Sequence, residues 1–381
     1  MTAEVEPFEI RVDDSMLEDL HDRLSRTRFP DQIGGSGWEY GVPVGYLREL
    51  VGYWLDRYDW RAEEARLNQL DHFRTTVDGQ SIHFLHARSG HPDAFPLLLT
   101  HGWPGSFVEF LEVIPRLAQP EAFGGDSTDA FDLVVPSLPG YGFSGPTRST
   151  GWDEDRIARA FAELMSRLGY SRYGAQGGDW GAQVSTRIGL LDSEHCAGLH
   201  LNMPIGVQPK EIGTLTDDEQ ADLAAMRQFV KEESGYANEQ GTKPQTVGAA
   251  LNDTPAGLLG WIVEKFRAWS DCDGDPENCF TRDQLLTNVM VYWVTETIAS
   301  SARLYWESRH GAQASDALPF VDVPTGVARY PKEVLRWPRS WVEGQYRIVH
   351  WAVMDKGGHF AAMEQPDLFV DDVRRFFRGI R

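Results

Sequence analysis

The chain has 381 residues, 41% hydrophobic and 24% charged, enough for one large globular core with an insertion and too ordinary for disorder over most of its length. Its formal charge of −21, from 36 basic and 57 acidic side chains, repels phosphate backbones and anionic lipid, which disfavours nucleic-acid and membrane-surface partners. The acidic start MTAEVEPFEI is not a signal peptide, no stretch approaches the roughly 18 apolar residues of a membrane span, and Cys196, Cys272 and Cys279 form no Cys-x-x-Cys pair, so a cytoplasmic protein without a disulfide framework or zinc site is expected.

In chain order, Asp13-Asp14-Ser15 caps a helical pattern in which Met16, Leu17, Leu20 and Leu24 recur on one face, and VGYLRELVGYWLDRY is a second helical pattern. HFRTTVDGQSIHFLHARS alternates and turns at Asp78-Gly79, a hairpin that begins a sheet. Residues 1–95 thus form a leading section that packs on the core, and its tryptophans and tyrosines also suit a homodimer contact. PLLLTHGWPGS is a short strand running into His101-Gly102-Trp103-Pro104-Gly105-Ser106. FDLVVPSLPGYGFSG is another strand with a loop that spells G-x-G-x-x-G, but Pro146 and polar residues follow where a phosphate cradle must open into a helix, so no dinucleotide site is expected. DEDRIARAFAELMSRLGY is an amphipathic helix leading to the strand RYGAQ.

That strand enters Gly177-Gly178-Asp179-Trp180-Gly181, the small-x-nucleophile-x-small pattern of a sharp strand-to-helix turn. Aspartate stands where an esterase has serine. A carboxylate with an unperturbed pKa of about 3.9 is already anionic at neutral pH and suits attack on a saturated carbon with a strained or halide leaving group. The ester so formed has to be hydrolysed, which calls for a base, an acid to orient it, an oxyanion hole and donors for the leaving group. Trp103 and Trp180 N–H are the candidate oxyanion donors.

Beyond GLHLNMP the alternation fades for about 110 residues, and TDDEQADLAAMRQFVKEES, TPAGLLGWIVEKFRAWS and RDQLLTNVMVYWVTETIASSARLYWESR read as helices of an inserted cap. Asp271-Cys272-Asp273-Gly274-Asp275-Pro276 mimics a calcium loop, but proline at position six and Arg282 at position twelve make it a solvated turn. The sheet resumes at VPTGVARYP, followed by Glu333, and at YRIVHWAVM, followed by DKGGHF with His359. Asp179, Glu333 and His359 then follow in the order nucleophile, acid, histidine, with Asp355 a nearby alternative and Asp322 ranked low because it falls before its strand. The negative charge that develops on the leaving group calls for neutral donors, which phenol O–H groups supply, and Tyr236, Tyr292 and Tyr305 are the cap's candidates.

Taken together, the elbow, HGWPGS and GGHF resemble the microsomal-type epoxide hydrolases of the α/β-hydrolase superfamily. The likeness extends through ESGYANEQGTKPQTVGAALNDTPAGLLGWIVEKFRAWSD, LLTNVMVYW, YPKEV and GGHFAAMEQP. It implies an α/β fold, an α/β-hydrolase core with a mostly parallel central sheet, divided as a leading section over 1–95, core over 96–205, helical cap over 206–315 and core again over 316–381. It also implies Asp179 as nucleophile, His359 as base, Glu333 as its acid partner, and Tyr236 and Tyr305 as the phenols on the epoxide oxygen. Animal members carry an N-terminal membrane anchor, whereas this sequence starts with the soluble section. Its character also resembles soluble actinobacterial members, some of which serve enediyne antibiotic pathways. The expected reaction opens a hydrophobic epoxide, aryl ones included, with water and no metal or organic cofactor. Its rivals are a haloalkane dehalogenase, which would need halide-binding N–H donors, and a non-catalytic binding protein on the same fold.

Overall fold

The computed structural model describes residues 4–311 and 318–381. Nine strands form one sheet: β1 (Glu6–Phe8), β2 (His72–Val77), β3 (Gln80–Ala87), β4 (Phe95–Thr100), β5 (Phe131–Pro136), β6 (Tyr173–Gly177), β7 (Cys196–Leu201), β8 (Val321–Arg329) and β9 (Tyr346–Val353). Their spatial order is β1-β2-β3-β5-β4-β6-β7-β8-β9. Pairing is antiparallel from β1 to β5 and parallel from β5 to β9, so the sheet is mostly parallel and the fold is that of an α/β hydrolase. The β2–β3 hairpin turns at Asp78 and Gly79 with φ of 49° and 76°, as the Asp-Gly pair predicts.

Before β2 come α1 (Asp14–Ser25), α2 (Val44–Asp56) and α3 (Trp60–Leu67); α4 (Val113–Ala118), α5 (Glu154–Arg167) and α6 (Asp179–Leu191) fall between later strands. The sequence pattern anticipated α1 and α2 but neither α3 nor β1. Neighbouring residues of β7 show that helices cover both sheet faces. A Cβ on Gly198 would meet Phe376 and Ile380, whereas Leu199 touches the position of Gly189 on α6. Phe376 and Phe377 belong to α15 (Pro366–Phe377), which follows α13 (Arg339–Glu343) and α14 (Ala361–Glu364). Gly174 of β6 lies so close to the Phe377 ring that a Cβ would come within 2.3 Å of it, so glycine there lets α15 seat.

Among the described residues six α-helices lie between β7 and β8: α7 (Asp217–Glu232), α8 (Gly235–Gln240), α9 (Pro244–Leu251), α10 (Pro255–Trp269), α11 (Arg282–Thr295) and α12 (Ile298–His310). A reciprocal Thr216/Glu219 capping box starts α7. The single helix expected over 282–309 is instead two. Glu296 takes the left-handed conformation at φ 54° and ends α11, a break that no glycine or proline announces. The expected cap boundary at residue 315 lies outside the described residues. Asp322 lies inside β8 rather than before it, exposed and 3.6 Å from Arg347 Nε. The G-x-G-x-x-G stretch forms a short 3-10 turn at Gly142–Ser144, with Gly142 N–H on Thr297 Oγ1, and no α-helix opens from it. Among the described residues no helix is long and apolar enough to cross a membrane.

Candidate active site

Asp179 is the first residue of α6, two positions after β6 ends, with φ of 50°, a left-handed conformation costly for a non-glycine residue. Two of the flanking glycines make the turn sterically feasible. A Cβ on Gly177 would fall 2.2 Å from the Gly181 carbonyl, and one on Gly181 would fall 1.9 Å from Thr100 O. Gly178 is different, since its nearest neighbour would be Asn202 at 3.7 Å, an ordinary contact. The aspartate heads α6, where leading N–H groups have no intrahelical partner and the helix dipole favours negative charge. Trp180 supplies one of these N–H groups.

The loop after β4 closes the other side. His101 is buried and neutral, its pKa lowered to about 4 by burial. Its Nδ1 is 2.9 Å from Gly102 O, and its Nε2 accepts Leu138 N–H at 3.1 Å. Because the Gly102 carbonyl faces the imidazole, the opposite edge of the same planar peptide, Trp103 N–H, points away from it and donates to Asp179 Oδ1 at 2.8 Å. Gly102 itself must lack a Cβ, which would overlap the Asp179 side chain at 2.3 Å.

His359 Nε2 lies 3.5 Å from Asp179 Oδ2, and its Nδ1 lies 2.6 Å from Glu333 Oε1, which also accepts Val334 N–H at 2.7 Å. Both side chains are buried. Burial alone would lower the His359 pKa, but the Glu333 and Asp179 charges and their hydrogen bonds outweigh it and hold the pKa well above the ordinary value. Asp355 is exposed, so Glu333 is the carboxylate that meets the imidazole.

Tyr236 on α8 and Tyr305 on α12 converge on the two tryptophans beside Asp179. Tyr236 stacks on Trp103 at 5.0 Å and 7°, and Tyr305 stands edge-on to Trp180 at 4.8 Å and to Trp103 at 5.8 Å. Burial, then neighbouring negative groups including Asp179, push both phenol pKa values up, so both stay neutral donors. Tyr292 is turned elsewhere, its hydroxyl donating to Gly105 O at 2.6 Å.

Pattern reasoning missed three residues here. Trp269, at the end of α10, packs 5.0 Å from His359 and 5.2 Å from Tyr236. Asp271 belongs to the turn expected to be solvated, yet its Oδ2 accepts Gly357 N–H at 2.9 Å, and Cys272 beside it is buried. That turn is therefore partly a packing contact, and the described residues hold no cluster of three or more metal-ligating side chains. Glu109 lies beside Asp179 and His359; its only sequence signal is its place four residues after Gly105.

A sharp-turn aspartate, a histidine–glutamate pair and a parallel sheet define an α/β hydrolase. Residues 5–110 match the model "Epoxide hydrolase N terminus" and residues 96–272 match "alpha/beta hydrolase fold". The chain belongs to the epoxide hydrolase family, and its activity is the hydrolysis of epoxides. A Stigmatella aurantiaca protein with epoxide hydrolase in its name is 49% identical over 99% of this chain and 86% of its own length. Epoxide hydrolase 1 of Sus scrofa is 39% identical over 98% of this chain and 88% of its own. The crystal structure of juvenile hormone epoxide hydrolase from Bombyx mori superposes with a TM-score of 0.92 at 35% identity, covering 100% of this chain and 95% of that one. The Aspergillus niger epoxide hydrolase gives 0.89 at 33%, covering 99% and 97%.

Proposed function

We propose that hydrolysis runs through a covalent ester on Asp179. The observation that carries this reading is Asp179 lying between Trp103 N–H and the His359 imidazole. In the first half-reaction an Asp179 oxygen attacks an oxirane carbon, the ring C–O bond breaks, and a proton from Tyr236 or Tyr305 goes to the alkoxide. In the second, water attacks Cγ of Asp179 and gives one proton to His359. The bond between Cγ and the ester oxygen breaks, and His359 passes its proton to the departing diol. The remaining proton restores the phenol. Trp103 and Trp180 N–H stabilise the tetrahedral oxyanion, a term worth about 3 kcal/mol per donor. Esterification removes the Asp179 charge, one of the influences holding the imidazolium, so the His359 pKa falls and the neutral imidazole that can take a proton from water is favoured when the ester needs it.

In this reading residues 206–315 are a cap that carries the phenols, and residues 1–95 a leading section on a core of 96–205 and 316–381. The aromatic wall of Trp103, Trp180, Trp269, Tyr236 and Tyr305 supports a hydrophobic epoxide, aryl ones included, in a cytoplasmic enzyme. The leading section's aromatic residues support a homodimer. Single turnovers in heavy-oxygen water test the route: label should enter the Asp179 side chain, read by peptide mass, and an unlabelled Asp179 after turnover overturns it.

A further inference from the structure

Beneath Asp179, on a side lined by neither Tyr236 nor Tyr305, lies a chamber of ≈ 20 Å³ bordered by Thr100, Glu109, Gln176, Asn202 and His359. That space suffices for a single water molecule. Thr100 Oγ1 and Gln176 Oε1 are buried there without a hydrogen-bond partner among the described residues. Glu109 is the carboxyl at its edge, and Gly105 is what seats it, since a Cβ on Gly105 would fall 1.6 Å from Glu109 Oε1. Burial pushes this carboxyl up to about 8, with the Asp179 charge adding to the rise and His359 and Gly102 N–H opposing it.

We propose that Glu109 positions the hydrolytic water in this chamber by accepting the hydrogen that His359 does not take. Resting on the ester route above, the assignment follows from what an attacking water needs. Its lone pair must face Asp179 Cγ, one O–H must point to the base, and the second O–H must end on an acceptor or the molecule can rotate out of line. At neutral pH the neutral acid accepts through its carbonyl oxygen and adds no second negative charge beside the oxyanion. Glu109 keeps its proton through the step, so the atom balance of ester hydrolysis is unchanged.

The test separates the two half-reactions by stopped-flow tryptophan fluorescence, with the trapped ester quantified by mass. Glu109→Ala should alkylate at the wild-type rate and hydrolyse its ester about tenfold to a hundredfold more slowly. In the steady state kcat and KM then fall together while kcat/KM holds. Glu109→Gln, which keeps a carbonyl acceptor, should recover hydrolysis to within a few-fold. Gly105→Ala, which pushes the carboxyl off its seat without removing it, should repeat the slow-hydrolysis phenotype and serves if Glu109→Ala does not fold. Wild-type ester hydrolysis in the Ala variants, equal slowing of both steps, or a Gln variant as slow as Ala overturns the assignment. A wild-type enzyme that forms no ester overturns the covalent route instead.

Discussion

The backbone N–H of His359 donates to the carbonyl oxygen of Trp269 at 2.9 Å, joining the histidine loop to the last residue of α10. Two more bonds cross the same seam, and a third braces the carboxylate that makes one of them. Glu364 accepts Asp271 N–H at 2.8 Å and Phe360 N–H at 2.9 Å, and Asp271 Oδ2 accepts Gly357 N–H. The histidine is thus oriented by the helical insertion as well as by Glu333.

Glu364→Ala orphans two N–H groups at this seam, at a cost of about 1–3 kcal/mol each. Its melting temperature should fall and kcat should drop with it as His359 loses alignment. Glu364 is itself pushed up to about 7, mainly by burial, with the two N–H donors opposing. A carboxyl raised on folding gives stability that is full below about pH 4.3 and is lost as pH rises through 7. Thermal melts of Glu364→Gln should therefore vary less between pH 4.5 and 7 than those of the wild type; equal slopes would remove Glu364 from the pH response.

Glu333→Gln removes the charge that does most to hold the His359 proton. The pKa of the imidazole falls, and activity is lost at low pH where the base is protonated, so the acid limb of the kcat profile should move to lower pH. The rate at the plateau should fall by about 10²–10⁴, the typical worth of a positioned base. A limb that stays in place would mean that another group governs it.

Much of this site is legible in the sequence because its signals are local. Gly177 and Gly181 report a backbone too close for side chains, and His101 holds the peptide that presents the Trp103 N–H. Glu333 and His359 follow strands, so topology alone brings them to the elbow's edge of the sheet. What stayed hidden depends on long-range contacts. Helical spacing cannot separate Tyr292 from Tyr236 and Tyr305, because the distinction is which carbonyl or ring each meets. Glu109 reads as an ordinary glutamate between valine and phenylalanine, and Trp269 acts partly through a carbonyl, which has no side-chain signature. The left-handed Glu296 is equally silent, a residue type that gives no turn signal.

Away from the site, Asp372 on α15 accepts His200 Nε2 at 3.0 Å and His350 Nε2 at 2.8 Å, tying that helix to β7 and β9. Burial would raise its pKa, but the two imidazoles outweigh it and hold the carboxyl well below the usual range. A depressed carboxyl gives stability that is present above about pH 3.9 and lost as pH falls through its folded value. Asp372→Asn should cost about 1–3 kcal/mol at neutral pH and lose less than the wild type on further acidification. Melting temperatures from pH 7 down to about 2 check both parts.

Three tyrosines of the insertion should separate cleanly under the same substitution. Tyr236→Phe and Tyr305→Phe each remove a neutral donor from the aromatic wall over Asp179, and alkylation should slow by about 10²–10³ in each, the usual cost of one such donor. The double variant should form no detectable ester. Fold stability should change less than catalysis, since the hydrogen-bond partners of these phenols are side chains of the site itself, Tyr305 for Tyr236 and Trp180 for Tyr305. Tyr292→Phe reverses the pattern. It leaves the Gly105 carbonyl without the Tyr292 hydroxyl at a buried site, so the melting temperature should fall by the equivalent of about 1–3 kcal/mol while alkylation slows less than tenfold. Stopped-flow alkylation rates and melts on the three single variants decide the matter. A Tyr292→Phe enzyme that loses alkylation as heavily as the other two would give that phenol a place on the epoxide oxygen and remove the basis for choosing Tyr236 and Tyr305.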